Sequence, residues 1–142
     1  QEERSVQTSN IGAVMIPILC YFTVCLVLAM IDWKMSMIPL CITLPAVVIG
    51  YFLTGNILPA FIMYVIGAVM FKLKMHCGGD TMLMVIAGMF LGWIAIPISI
   101  VSYIIARICL KRSAREKMPL APFCFGVSIV FVFSCETIKF YM

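Results

Sequence analysis

Long uncharged stretches alternate with short charged ones along the whole chain. No charge stands between Arg4 and Asp32, and residues 11–31 form one continuous apolar run. A membrane-spanning helix takes roughly 20 such residues, so this run predicts a first helix. From Lys34 to Lys72 the chain is again uncharged, with the polar turn Thr54-Gly55-Asn56 dividing it into two apolar halves, which predicts a second and a third helix. Residues 81–106 are also uncharged, a basic segment follows (Arg107, Lys111, Arg112, Arg115, Lys117), and residues 119–135 make the last apolar stretch.

The run from 81 to 106 is long for one helix and short for two. Charge breaks the tie. If this run crosses twice, with Gly92 near the bend, eight of the ten basic residues, all but Arg4 and Lys139, share one side, as the positive-inside tendency expects. The reading is therefore an all-α, polytopic membrane protein of about six transmembrane helices in one domain, residues 1–142. The helices are expected at about 11–31, 39–53, 57–72, 80–91, 93–110 and 119–138, with the N-terminus outside and cytoplasmic connections at about 32–38, 72–80 and 107–118. No internal repeat or low-complexity tract is visible.

Composition agrees. Of the 142 residues 64% are hydrophobic and 11% charged, against about 25% charged in ordinary soluble domains, and mean hydropathy is +1.15. So few charges cannot cover a water-facing surface, which makes the lipid bilayer the expected surroundings. The seven cysteines (Cys20, Cys25, Cys41, Cys77, Cys109, Cys124, Cys135) form no CxxC pair, and six lie in apolar runs. They read as small packing residues rather than disulfides or metal ligands. The net charge of +4 fits topology better than nucleic acid, since the basic residues have no soluble, aromatic-rich surface to occupy. No metal or cofactor is expected. The sequence opens on Gln1 rather than Met, which predicts that the natural N-terminus lies elsewhere.

Only six acids occur, and Glu2, Glu3, Glu116 and Glu136 sit in the ends or the basic segment. Asp32 closes the first helix and Asp80 opens the fourth, so the expected topology brings both to one edge of the bilayer. An ionisable group there is costly and is a functional candidate by default; the plainer alternative is a helix-end carboxylate, with Asp80 as an N-cap. As a pair they suggest more. Two carboxylates held close in reduced dielectric cannot easily both ionise, so they share a proton, and one acts as general base on water while the other acts as general acid. Gly78 and Gly79, lacking side chains, would let a substrate backbone approach Asp80 closely.

Three segments carry a family resemblance: Asp32-Trp33-Lys34-Met35-Ser36-Met37-Ile38-Pro39, then Cys77-Gly78-Gly79-Asp80, then Met118-Pro119-Leu120-Ala121-Pro122-Phe123. In this order and with apolar stretches between them, they resemble the signatures of the type IV prepilin leader peptidases: an aspartate with a basic residue and Ile-Pro, a GxGD motif opening the fourth helix, and Pro-x-x-Pro-Phe before the last. The resemblance covers essentially the whole chain. It implies an intramembrane aspartic endopeptidase of a bacterial inner membrane, with Asp32 and Asp80 catalytic and Gly78, Gly79, Pro119 and Pro122 contributing to substrate binding at the cytoplasmic face. The implied substrates are prepilins or pilin-like secretion subunits, whose short basic leader is removed. Cofactors and nucleic acid have no part in it, and a homo-oligomer is compatible with it. Large members also carry a cysteine-paired cytoplasmic domain with N-methyltransferase activity; the chain shows no such domain, so peptidase activity alone is expected. Three positions depart from the pattern: Cys77 replaces the first glycine of GxGD, Met82 a basic residue, and Leu40 an asparagine.

Other residues carry weaker signals. His76 lies four residues before Asp80 and reads chiefly as an interfacial residue beside Lys72 and Lys74. Lys34 reads as a snorkelling cation, Met82, Met84 and Met89 as packing, Trp33 and Trp93 as interface anchors. Pro119 and Pro122 suggest an irregular helix start, tolerated in a membrane only under protein cover. The competing class is a non-enzymatic polytopic membrane component, a transporter subunit or assembly scaffold, whose aspartates are structural or carry protons.

Overall fold

The structure, a computed structural model, describes the backbone of residues 2–35, 38–73, 78–110 and 120–141, with side chains at 15–35, 38–73, 78–110 and 120–134. Every described element is helical: α1 (Glu2–Met35), α2 (Leu40–Thr54), α3 (Ile57–Lys72), α4 (Gly78–Leu91), a 3₁₀ turn (Gly92–Ile94), α5 (Ala95–Leu110) and α6 (Ala121–Tyr141).

Local chemistry sets several boundaries. Pro39 is extended (φ −74°, ψ 129°), and its carbonyl accepts the amides of Ile42 and Thr43 at 3.2 and 3.3 Å, so the chain enters α2 directly from Ile38-Pro39. Gly55 ends that helix in the left-handed region (φ 67°) and donates its amide to the Tyr51 carbonyl, a conformation that costs glycine nothing. Gly92 (φ 62°) performs the corresponding reversal after α4. α1 begins well before the apolar run, because residues 2–10 include no glycine or proline to stop it. α6 starts at Ala121 rather than at 119; Pro122 occupies its first turn, where the missing amide has no intrahelical acceptor to lose.

The stretch Gly78–Leu110 is 33 residues of high hydropathy, but it does not run straight. At one end Thr54 donates to the Met89 carbonyl at 2.6 Å, and the Asn56 side chain lies beside Gly92, so the two tight turns share one pole of the molecule. At the other pole Ala106, late in α5, packs with Leu120, whose neighbour Ala121 binds Asp32. α4 and α5 therefore form a hairpin folded at Gly92.

α4 is the buried centre, with Leu83, Met84, Ile86, Ala87, Met89 and Phe90 all in the core. Its neighbours approach through glycines. A Cβ on Gly67 would lie 2.7 Å from Thr81 Cγ2, and one on Gly88 2.9 Å from the Ala60 Cα, so α3 and α4 are in near backbone contact, as small residues allow between membrane helices. Gly50 does the same for α2 against Met89 and Phe90. α1 and α6 instead meet through side chains, Tyr21 bonding Ser128 hydroxyl to hydroxyl at 2.9 Å.

The outside is apolar. Ile16, Leu19, Met30, Leu44, Phe52, Phe61 and Ile108 are all exposed, a surface suited to lipid and not to water. Two described stretches, Met15–Met35 and Gly78–Leu110, are long and apolar enough to cross a membrane, while α2, α3 and the apolar part of α6 (Ala121–Ser134) are shorter. The described residues are thus all helical, with two stretches whose length and composition are compatible with crossing a membrane, which do not amount to the six crossings expected from the sequence.

Candidate active site

Asp32 lies in the last turn of α1 and is only 2% exposed, although its neighbours Trp33 and Lys34 are exposed. The helix rotates Asp32 inward, onto the start of α6, where its Oδ2 accepts the Ala121 amide at 3.0 Å. That amide is one of the unclaimed donors of a helix N-terminus, a position that favours negative charge. Asp80 occupies the first turn of α4 and is 5% exposed. The charges of the two carboxyl groups act on each other, so residues 48 positions apart in the sequence lie at the same pole of the bundle. Each stands at a helix N-terminus, Asp80 at that of its own helix and Asp32 at that of α6.

The two glycines differ. A Cβ on Gly79 would come within 2.8 Å of the Ile38 Cβ and 3.3 Å of its backbone nitrogen. Gly79 therefore gives room to the protein's own Ile38-Pro39 segment rather than to a substrate, and so ties the start of α4 to the start of α2. Beside Gly78 no described residue lies within 4 Å, which leaves Gly78 as the less crowded of the two glycines next to Asp80. Pro122 is half-buried in the first turn of α6, and Pro119, His76 and Cys77 lie outside the described residues. Met82 is half-buried and Leu40 exposed; neither is at the carboxyl pair's first turn of helix.

Sequence reasoning missed two contributors. Ala121 acts through its backbone, and the only sequence signal for it is the proline-flanked helix start that frees amides at this point. Thr81 is 7% exposed, follows Asp80, packs against Gly67, and has a buried hydroxyl without a hydrogen-bond partner. Behind the pair, between α1 and α6, Tyr21 bonds Ser128 at 2.9 Å and sits 3.9 Å from the Cys124 sulfur. Among the described residues no three His, Cys, Asp or Glu side chains gather as metal ligands, and the described cysteines are free thiols.

Two buried carboxyl groups whose charges act on each other, in apolar surroundings, have the chemistry of a pair that can share a proton and pass it to and from a bound water or carbonyl. Comparisons with protein-family models, with curated proteins and with solved structures found no match for this chain.

Proposed function

We propose that the protein is an intramembrane aspartic endopeptidase that removes the short basic leader of prepilins or pilin-like secretion subunits. The observation that carries the proposal is the placing of Asp32 and Asp80 at one pole, buried and mutually interacting, on a predominantly apolar helical framework. Burying carboxyl groups in apolar surroundings is expensive, and a chain with six acids in all has little structural reason to place two together.

In the proposed reaction one carboxylate takes a proton from water as the oxygen attacks the scissile carbonyl, and the other, protonated, delivers its proton to the carbonyl oxygen. Collapse of the tetrahedral intermediate breaks the C–N bond, and the leaving nitrogen takes up a proton from the pair. The Ala121 amide holds Asp32 in place for this exchange. Gly78, the less crowded of the two glycines, is the surface along which a substrate backbone reaches the pair; Pro119 and Pro122 bound the same region in sequence.

The topology that goes with this function is six crossings, the Asp32–Asp80 pole facing the cytoplasm of a bacterial inner membrane, and the substrate's apolar helix lying in the bilayer. Supporting it, the hairpin at Gly92 puts both ends of Gly78–Leu110 at one pole. Trp33 and Trp93 are both exposed and belong to opposite poles, as aromatic anchors at two interfaces would. Reporter sites introduced within 111–117 and at 54–56 should report opposite sides of the membrane; a shared side would overturn the arrangement. The decisive experiment is co-expression with a candidate prepilin, reading leader removal by mass. Processing by the native chain and none by a well-inserted Asp80→Asn variant is the expected result. Substantial processing by that variant would overturn the assignment in favour of a non-enzymatic membrane component.

A further inference from the structure

α3, α4 and α5, with Leu120 beside the start of α6, line a cavity of about 140 Å³ whose walls include Met63, Met70, Met84, Ser99 and Tyr103. Its size narrows the occupants. A cavity of about 150 Å³ takes a benzene-sized apolar group, whereas an α-helix is about 10–12 Å across and cannot enter. A short segment of a thin, flexible apolar chain fits, and three methionines give the walls the adaptability to hold it.

The groove is not apolar throughout. At its α5 side the Arg107 guanidinium lies over the Tyr103 ring, 4.9 Å from its centre; the side chain folds back one turn toward the helix N-terminus, as helical side chains do. Lys72, exposed in the last turn of α3, is two residues past the wall residue Met70. The α5 sequence then continues into Lys111, Arg112, Arg115 and Lys117. Deeper in the wall is Ser99, 7% exposed, whose hydroxyl has no hydrogen-bond partner, while its neighbour Ser102 bonds the Ile98 carbonyl at 2.6 Å. Four residues separate Ser99 from Tyr103, roughly 6 Å along the helix axis. The wall thus offers, in order, a cation, one turn further in an unused hydroxyl donor, and then only apolar atoms.

We propose that this groove binds one acyl chain of an anionic phospholipid, with the phosphate on Arg107 and an ester carbonyl accepting from the Ser99 hydroxyl. Cation, donor and apolar slot follow the order of phosphate, ester and chain in a glycerophospholipid. A net-neutral headgroup brings its own cation beside the Arg107 guanidinium, so a net negative lipid is favoured. The inference rests on the membrane placement and not on the peptidase chemistry.

The test is native mass spectrometry of the full chain released from detergent micelles containing equal phosphatidylglycerol and phosphatidylcholine of the same acyl composition. One retained phosphatidylglycerol is expected, preferred about tenfold, with the preference falling to about twofold or less in Arg107→Gln and kept in Arg107→Lys. Ser99→Leu fills the slot and should reduce retention of both lipids, so it tests the site even if Arg107→Gln does not fold. Equal retention of the two lipids by the native chain would overturn the proposal, as would an unchanged preference in Arg107→Gln. Displacement of the retained lipid by an apolar helical peptide would assign the groove to a peptide side chain instead. Because lipid retention is read without any cleavage, failure here leaves the peptidase proposal standing, and the reverse also holds.

Discussion

α1 and α4 each deliver one carboxyl group to the same pole, and they are held there by different means. α4 is encased, its approach to α2 and α3 set by Gly50, Gly67 and Gly88, where there is no room for one added carbon. α1 leaves Ile16, Leu19, Met30 and Trp33 exposed and is held by directional bonds, Tyr21 to Ser128 and Asp32 to Ala121. The helix that carries Asp80 is therefore seated by close packing at glycines, whereas the helix that carries Asp32 adds these cross-helix hydrogen bonds to the core packing of Tyr21, Cys25 and Leu28. Adding atoms should disturb the first arrangement, and deleting polar atoms the second.

The largest effect breaks the comparison by removing what the two helices share. Asp32→Asn and Asp80→Asn should each abolish prepilin cleavage, by about 10⁴-fold or more, with the double variant no worse, because residues acting as one unit are not additive. Measured cleavage by single and double variants checks this; additive losses would mean that the two groups act separately. Next comes the packed side: Gly88→Leu must push α3 and α4 apart, costing about 1–3 kcal/mol and visible as a lowered Tm in detergent.

On the bonded side, Ala121→Pro deletes one amide that Asp32 accepts, at a first-turn position where proline is tolerated. A bond to a charged group contributes about 1.5–3 kcal/mol to the folded state, so Tm should fall and cleavage should drop by roughly 10–100-fold. Tyr21→Phe keeps the ring and removes one hydroxyl bond; a loss of about 0.5–1.5 kcal/mol in unfolding free energy is expected, with a small loss of activity. The smallest structural effect belongs to Gly78→Ala. With no described residue within 4 Å and alanine the better helix former, Tm should hold or rise slightly, so a loss of cleavage in this variant would isolate substrate approach. Gly79→Ala, crowded by Ile38, should lower Tm instead.

Much of this was legible before any coordinates. An uncharged run of given length has few options in lipid, since every backbone amide must bond within its own segment, so the helical character followed from where the charges fall. A glycine between polar residues marked the turn at Thr54-Gly55-Asn56, and the sidedness of the basic residues placed a bend at Gly92; both glycines take φ near +60°, which only glycine does without cost. Asp32 and Asp80 stood out because carboxylates beside apolar runs are rare. The role of Gly79 was not legible: its space is taken by Ile38, and a glycine's spacing in sequence does not say which backbone will lie against it.

The sequence by itself determined the composition of each helix, the turns between them and which side chains were too polar for their surroundings, since these depend on neighbours along the chain. Tertiary structure alone decided that Gly67 and Gly88 bring α3 and α4 nearly into backbone contact, and that the start of α6 supplies the donor for Asp32. It alone decided, too, that Ser99 and Tyr103 line one cavity and that Arg107 covers the Tyr103 ring. These are contacts between distant segments. They depend on how helices that are apolar on most sides rotate and seat against one another, and a nearly uniform apolar pattern leaves that rotation unspecified until the side chains are packed.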